Sequence, residues 1–334
     1  MSVLGDDTPM THRVRLVFED DRTIALQARS DETVVAAALR ERVHLETDCL
    51  EGACATCKAL CTAGSFALDD YSKEALDDTE REAGYTLLCQ TRVSADCTLE
   101  LPYAAARALA RRPTLTHAGR LAAIEPIAEG VVRLEIECAD AIDFLPGQYM
   151  HLCIPGADTR RSYSMANPPG RARLEFYIKL LEAGVMSDYA RERARVGDAI
   201  ELGGPLGHFY LRPPLRPMLM VAGGTGLAPL LAMLEWLAVA GGAAQPIRLL
   251  YGANRPEELF ALDALARLAR ALPLTFESVT HDHVTTRLRP ELLSGGACDA
   301  YLCGPPPMVD TTRAWLARHG IAAACIHNEK FVAS

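Results

Sequence analysis

No uncharged apolar run in this 334-residue chain is long enough to span a bilayer. The most apolar stretch, Met218 to Ala240, carries Glu235 and three glycines and reads as strand, loop and helix. Met1 to Met10 is acidic and lacks both a basic leader and an apolar core, so export is not expected. The expectation is a cytoplasmic chain with no membrane partner. Basic charge is also short: 34 Lys and Arg face 43 Asp and Glu, a net charge of −9, which leaves no basic footprint for nucleic acid. Internal repeats and low-complexity segments are absent, which excludes solenoids and compositionally disordered tails. At this length one ordinary core is not enough, so two or three domains are expected.

The shortage of base is local. Residues 1–100 hold 20 acidic and 10 basic side chains, while the rest of the chain is close to neutral. Such a field would speed encounter with a basic partner, although a merely solubilising surface has the same composition.

Cysteine, by contrast, is plentiful, with eleven in the chain. The stretch Cys49-Leu50-Glu51-Gly52-Ala53-Cys54-Ala55-Thr56-Cys57 has the spacing Cys-x4-Cys-x2-Cys, with Cys89 well downstream. That is the plant-type arrangement for a [2Fe-2S] cluster, in which four thiolates complete two iron tetrahedra that share bridging sulfides. The candidate metal ligands are therefore Cys49, Cys54, Cys57 and Cys89. Small residues at Gly52, Ala53, Ala55 and Thr56 leave room for backbone N–H groups to point at sulfur, a contact that tunes the potential. Zinc would ask for a second close cysteine pair or a histidine pair, and neither follows. A four-iron site would need a further Cys-x2 step and a proline after the last cysteine. A disulfide framework suits a small secreted domain, which this is not. His117, His208, His281 and His327 show no metal-ligand spacing.

Taken in order, residues 10–102 read as a hairpin, a helix opened by Asp31-Glu32-Thr33, the cysteine loop, an irregular stretch and a closing strand at Thr98 to Leu101. This is the order of a β-grasp ferredoxin, an α+β fold. Residues 103–116, with alanines, Arg111, Arg112 and Pro113, read as a linker. Residues 117–214 give short strands punctuated by Gly and Pro, the pattern of an antiparallel barrel. Residues 215–334 alternate strand and helix and open with an apolar strand, the loop Gly223-Gly224-Thr225-Gly226 and a helix from Leu227. That succession predicts a doubly wound α/β domain with a parallel sheet, its ligand at the carboxyl ends of the strands. The glycine loop suits a phosphate, because backbone can approach closely and the helix start offers free N–H groups. Cys303-Gly304-Pro305 lies at another such strand end.

Together these residues resemble the ferredoxin-NAD(P)H reductase superfamily with a plant-type ferredoxin fused at the N-terminus, over His12 to Val332. Arg161-Ser162-Tyr163-Ser164 matches that superfamily's Arg-x-Tyr-Ser flavin motif. By that match Arg161 pairs the flavin phosphate, Tyr163 lies against the isoalloxazine and Ser164 hydrogen-bonds near its N5. Gly184-Val185-Met186-Ser187 matches a second phosphate-contacting turn, which adds Gly184, Met186 and Ser187 to the cofactor residues. Gly223, Gly224, Thr225 and Gly226, with Cys303, Gly304 and Pro305, match the nucleotide motifs, and Phe331 matches an aromatic that covers the flavin. The resemblance implies catalytic roles for Ser164, Tyr163 and Cys303.

Within the superfamily, the cysteine run, Asp69-Asp70-Tyr71 and Gly84-Tyr85-Thr86-Leu87-Leu88-Cys89-Gln90 resemble reductases of benzoate-, toluate- and anthranilate-type dioxygenases. Ala55 departs from the glycine expected there. The implied function is a monomeric reductase taking electrons from NADH through FAD and a [2Fe-2S] cluster to a separate Rieske-type oxygenase. Arg255 would suit NADPH, but Glu257 and Glu258 beside it favour NADH. The same module order also serves di-iron monooxygenases and deoxysugar dehydratases. A non-enzymatic iron-sulfur sensor would keep only the cysteines, whereas here the flavin and nucleotide motifs stand beside them.

Overall fold

A computed structural model describes residues 10–109, 116–157, 159–293 and 296–331. They fall into two compact units divided between Pro113 and Thr114. In the first, strands β1 (Thr11–Phe18) and β2 (Thr23–Arg29) form the hairpin that alternation predicts, with Val14, Leu16 and Phe18 buried and Arg13 and Arg15 exposed. Helix α1 (Val34–Arg40) starts where the Thr33 hydroxyl accepts the Ala36 N–H at 3.2 Å. After the cysteine loop come β3 (Lys58–Ala63), β4 (Phe66–Leu68), α2 (Asp78–Glu82), β5 (Tyr85–Leu87), β6 (Thr91–Val93), β7 (Cys97–Leu101) and α3 (Ala105–Leu109). The main sheet has the order β2-β1-β7-β3-β5, with β1 and β7 parallel and every other pair antiparallel, which makes a β-grasp.

The expected linker needs correction in its described part. Residues 103–109 pack on the first unit: Tyr103 lies edge-on to Phe18 at 5.8 Å between ring centroids and accepts the Glu46 N–H at 3.1 Å. Ala105 and Ala108 are buried, and Arg107 pairs with Glu46 at 2.8 Å. The alanine-rich composition that reads as linker is a short helix with an apolar face. Residues 110–115, the remainder of that expectation apart from Thr116, lie outside the described residues.

The second unit begins with β8 (Thr116–Ala128), β9 (Val131–Cys138), β10 (Tyr149–Cys153), β11 (Arg160–Ser164), β12 (Arg173–Lys179), α4 (Val185–Asp188) and β13 (Ala199–Leu206). These six strands are antiparallel in the order β11-β10-β13-β8-β9-β12. A bridge between Met165, one residue past β11, and Phe176 in β12 closes them into a barrel around Leu134, Ile136, Met150, Leu152 and Leu174.

The rest of this unit comprises β14 (Met218–Gly223), α5 (Leu227–Val239), β15 (Ile247–Gly252), α6 (Leu262–Ala271), β16 (Leu274–Val279), β17 (Asp299–Gly304), α7 (Pro306–Arg318) and β18 (Ile326–Lys330). Its five strands are all parallel, in the order β16-β15-β14-β17-β18. Successive residues of β14 feed opposite layers: Met218 and Met220 pack with Leu230 and Leu234 of α5, while Leu219 and Val221 pack with Val309 and Leu316 of α7. The strand order reverses between β14 and β17, and such a reversal opens a ligand crevice at the carboxyl ends. Between β15 and α6 the chain makes a one-turn 3-10 segment, Pro256–Glu258, and Ala261, at φ 57°, separates the two. Strand β18 escapes the sequence reading because Ile-His-Asn-Glu-Lys has no apolar alternation. Among the described residues no helix is long and apolar enough to cross a membrane.

Candidate functional site

The cysteine loop is a strained piece of backbone held from both sides. Leu50 (φ 60°), Gly52 (73°) and Ala55 (60°) all occupy the left-handed region within one short run. A non-glycine residue there costs about 1–2 kcal/mol, which explains why glycine is the expected occupant at Ala55. At Gly52 a Cβ would lie 2.9 Å from both Gln90 Cγ and Tyr71 Cβ, so only glycine fits without displacement. Gln90 in turn donates from Nε2 to the Leu50 carbonyl at 3.0 Å. This winding turns the N–H groups of Glu51 and Ala53 onto Cys49 Sγ, at 3.4 and 3.3 Å, and that of Cys49 onto Cys54 Sγ at 3.5 Å.

Sheet register brings in the fourth cysteine. Lys58 pairs with Leu87 across β3 and β5, and the Leu88 N–H donates to the Cys57 carbonyl at 3.0 Å, which leaves Cys57 and Cys89 with sulfurs 3.3 Å apart. Lys58 is anchored at 2.6 Å to buried Glu80, whose carboxylate also closes the capping box of α2. The thiols share protons: the Cys54 thiol, then the backbone N–H groups, pull Cys49 down to about 5, and the Cys57 thiol pulls Cys89 down to about 7. The same two bonds, with burial, push Cys54 and Cys57 up. Among the described residues no three His, Cys, Asp or Glu side chains converge as a single-ion site requires. A binuclear cluster asks for two cysteines per iron, and two thiol pairs with inward N–H donors fit it.

On the barrel, β11 carries the Arg-x-Tyr-Ser residues in register with β10: Arg161 opposite Leu152, Tyr163 opposite Met150 and Ser164 opposite Tyr149. Alternation sends Arg161 and Tyr163 to one face and Ser162 and Ser164 to the other. Tyr163 packs partly into the barrel core, and burial pushes its phenol up to about 12. Among the described residues no carboxylate pairs with Arg161, whose Nη1 donates only to the Arg160 carbonyl at 3.2 Å. Buried Ser164 donates from Oγ to Glu329 Oε2 at 3.2 Å. Gly184, at φ 155°, opens α4, but the side chains that follow turn inward: Met186 joins the barrel core and Ser187 Oγ accepts the Leu181 N–H at 2.9 Å. A phosphate at this turn would therefore meet backbone.

At the reversal of the parallel sheet, the glycine loop and Cys303-Gly304-Pro305 interlock. A Cβ on Gly226 would fall 2.2 Å from the Cys303 carbonyl oxygen, one on Gly304 2.9 Å from the Gly223 nitrogen, and one on Gly223 2.7 Å from Pro305 Cδ. Gly224 differs from these: it sits at φ 53° with nothing within 4 Å of its missing Cβ, leaving bare backbone toward the crevice beside Thr225. Cys303 is fully buried, and burial, with the Glu329 carboxylate beside it, holds its thiol well above the ordinary range. Strand β18 places Glu329 opposite Cys303 and Lys330 opposite Gly304. Phe331, half-buried, donates its N–H to the Gly304 carbonyl at 2.8 Å.

Family models match three successive segments: a 2Fe-2S iron-sulfur cluster binding domain over residues 17–94, an oxidoreductase FAD-binding domain over 120–210 and an oxidoreductase NAD-binding domain over 220–314. The toluate 1,2-dioxygenase electron transfer component of Pseudomonas putida is 38% identical, covering 97% of this chain and 100% of that protein. The chain belongs to the family of oxygenase electron transfer components. Another member, the propane 2-monooxygenase reductase component of Rhodococcus jostii, is 33% identical over 97% of this chain and 92% of that one. Among solved structures, the cytochrome P450 reductase of Amycolatopsis superposes with a TM-score of 0.69 at 28% identity, covering 95% of this chain and 98% of that chain.

For this electron transfer component the FAD-binding segment falls on the barrel, the NAD-binding segment on the first four strands of the parallel sheet, and the cluster-binding segment contains the four candidate cysteines. The structure brings Ser164 and Cys303 around one further side chain, Glu329, to which sequence reasoning assigned no role. Its signal was faint: it precedes Lys330-Phe331 near the C-terminal end, and only the unforeseen pairing of β18 with β17 carries it to the barrel.

Proposed function

We propose that this chain is the NADH-dependent reductase of an aromatic-ring-hydroxylating dioxygenase of the benzoate, toluate or anthranilate type, with a Rieske-type oxygenase as electron acceptor. The observation that carries the proposal is the full-length similarity to the toluate dioxygenase component, over a chain that keeps cluster, flavin and nucleotide modules in one order. A bound flavin supplies the exchange between the two-electron hydride of NADH and the one-electron chemistry of the cluster.

The residues divide the work of holding these groups. Arg161, with no competing carboxylate among the described residues, is the cation for the flavin phosphate, and Gly184 leaves its turn open to the same group. Tyr163 presents a ring, kept neutral by burial, at the barrel edge. Ser164 is held by Glu329, so the hydroxyl is oriented and its proton has a defined acceptor. Gly224 and Thr225 offer backbone to the dinucleotide, while the neutral Cys303 thiol closes the floor of the crevice. In the first unit Cys49, Cys54, Cys57 and Cys89 hold the cluster.

A second reading, a reductase for a monooxygenase, is favoured by the propane 2-monooxygenase relative, at lower identity. Reconstitution separates the two. The purified chain, NADH and a benzoate-type oxygenase are mixed, and oxygen-dependent cis-diol formation is followed with benzoate or anthranilate. Product formed in step with NADH consumption is expected. Rapid reduction of an artificial acceptor without product would reject the dioxygenase partner and leave the monooxygenase reading.

A further inference from the structure

Arg255 lies three residues beyond β15, the second strand of the parallel sheet in chain order. In dinucleotide folds the segment after that strand meets the adenine ribose: a carboxylate takes a 2′-hydroxyl and an arginine takes a 2′-phosphate. Arg255 is the sole base in residues 253–261. Its guanidinium is engaged from two sides, with Nη2 3.0 Å from Glu129 Oε1 and Nε 3.1 Å from Glu258 Oε1. Glu258 belongs to the same loop, where the one-turn segment begun by Pro256 returns its carboxylate to Arg255. Glu129 comes from the barrel, in the turn between β8 and β9, and its N–H donates to the Glu257 carbonyl at 2.8 Å. Glu257 is itself exposed and adds a further carboxylate to this loop, beside the two that pair with Arg255. Half-exposed pairs of this kind contribute little to stability. Their effect is to set the sign of the charge at this edge.

We propose that Glu129 and Glu258 hold Arg255 as an already occupied cation and thereby select NADH against NADPH, with the barrel turn supplying half of the selection. The proposal rests on the NADH-reductase reading above. A 2′-phosphate arriving here meets carboxylates in place of a free guanidinium, and like-charge juxtaposition opposes it. A 2′-hydroxyl escapes that repulsion and finds acceptors.

The test uses the full chain with ferricyanide as acceptor. The ratio of kcat/KM for NADPH to that for NADH is compared between wild type and the Glu129→Gln/Glu258→Gln variant, and binding of 2′-phospho-AMP and AMP is measured by calorimetry. The ratio should rise about tenfold, the scale of one hydrogen bond to a charged group, and affinity for 2′-phospho-AMP should rise with it. Adding Arg255→Ala should cancel both gains. Glu137→Gln, which removes a charge elsewhere on the barrel, should leave the ratio where it was. Glu129→Gln alone, in an exposed turn, should give part of the gain and serves if the double variant does not fold. A ratio that does not move, or a gain that survives loss of Arg255, overturns the proposal. A chain that oxidises neither nucleotide defeats the reductase reading instead.

Discussion

The cysteine loop and the flavin-nucleotide crevice solve the problem of site construction in opposite ways. Three of the four cysteines lie within nine residues, and sheet register alone adds the fourth. The crevice draws on Arg161 to Ser164, Gly184 to Ser187, Gly223 to Gly226 and Cys303 to Phe331, segments that meet only through tertiary packing. The first site is strained backbone wrapped around sulfur; the second is relaxed backbone with glycines at the points where strands and loops touch. A local site can therefore lose its metal without disturbing a distant fold, whereas damage to one segment of the crevice spreads to the others.

Substitutions can break or sharpen this contrast. The largest effect is expected from Cys89→Ser, which should abolish the cluster absorbance while flavin content and NADH-to-ferricyanide activity persist; loss of flavin as well would mean that the units do not fold independently. Ser164→Ala, read by stopped-flow flavin reduction, should slow hydride transfer by roughly a hundredfold, the scale of one preorganised polar group at a reacting centre. Glu329→Ala should follow it in direction, since it removes the acceptor of the same hydroxyl. Arg161→Ala should weaken flavin retention about tenfold or more, as loss of a charge-assisted contact does, with the cluster spectrum unchanged. Gly226→Ala should destabilise the second unit by about 1–3 kcal/mol, the usual scale of overpacking, because its Cβ meets the Cys303 carbonyl at 2.2 Å; thermal unfolding would show it in the flavin signal and not in the cluster signal.

The smallest contrast is in pH dependence, where the units carry carboxylates shifted in opposite directions. In the first unit the hydrogen bond from Arg40 holds Glu32 below its ordinary range. That stability is present above the unfolded value, about 4.3, and is lost as pH falls through the folded one. In the second unit burial raises Glu175, so its contribution is full below that unfolded value and is lost as pH rises through the folded one. Glu32→Gln should therefore lower the unfolding midpoint of the first unit more at pH 7 than at pH 3, and Glu175→Gln should show the reverse pH trend in the second.

Much of the fold was legible because the β-grasp hairpin, the barrel strands and the βα alternation all leave apolar periods in the sequence. The cluster ligands were legible because thiolate chemistry demands a fixed spacing. What stayed hidden depended on long-range pairing. Strand β18 has no apolar alternation of its own, so Glu329 had no visible route to Ser164. The packing of Tyr103 to Leu109 was masked by an alanine-rich composition that serves a linker and a short helix equally well. Arg255 was visible as a base, but its neutralisation by Glu129 required the barrel turn to be placed beside the nucleotide loop.

The pairing of β3 with β5 also divides the cluster ligands into two pairs of different origin. Because the strand that begins at Lys58 meets the strand that ends at Leu87, Cys57 and Cys89 are placed beside one another by sheet register. Cys49 and Cys54 depend instead on the strained turn, which is fastened by Gln90 Nε2 on the Leu50 carbonyl and by the Ser72 N–H on the Gly52 carbonyl. One pair of ligands therefore inherits the stability of a sheet, and the other that of a turn in the left-handed region.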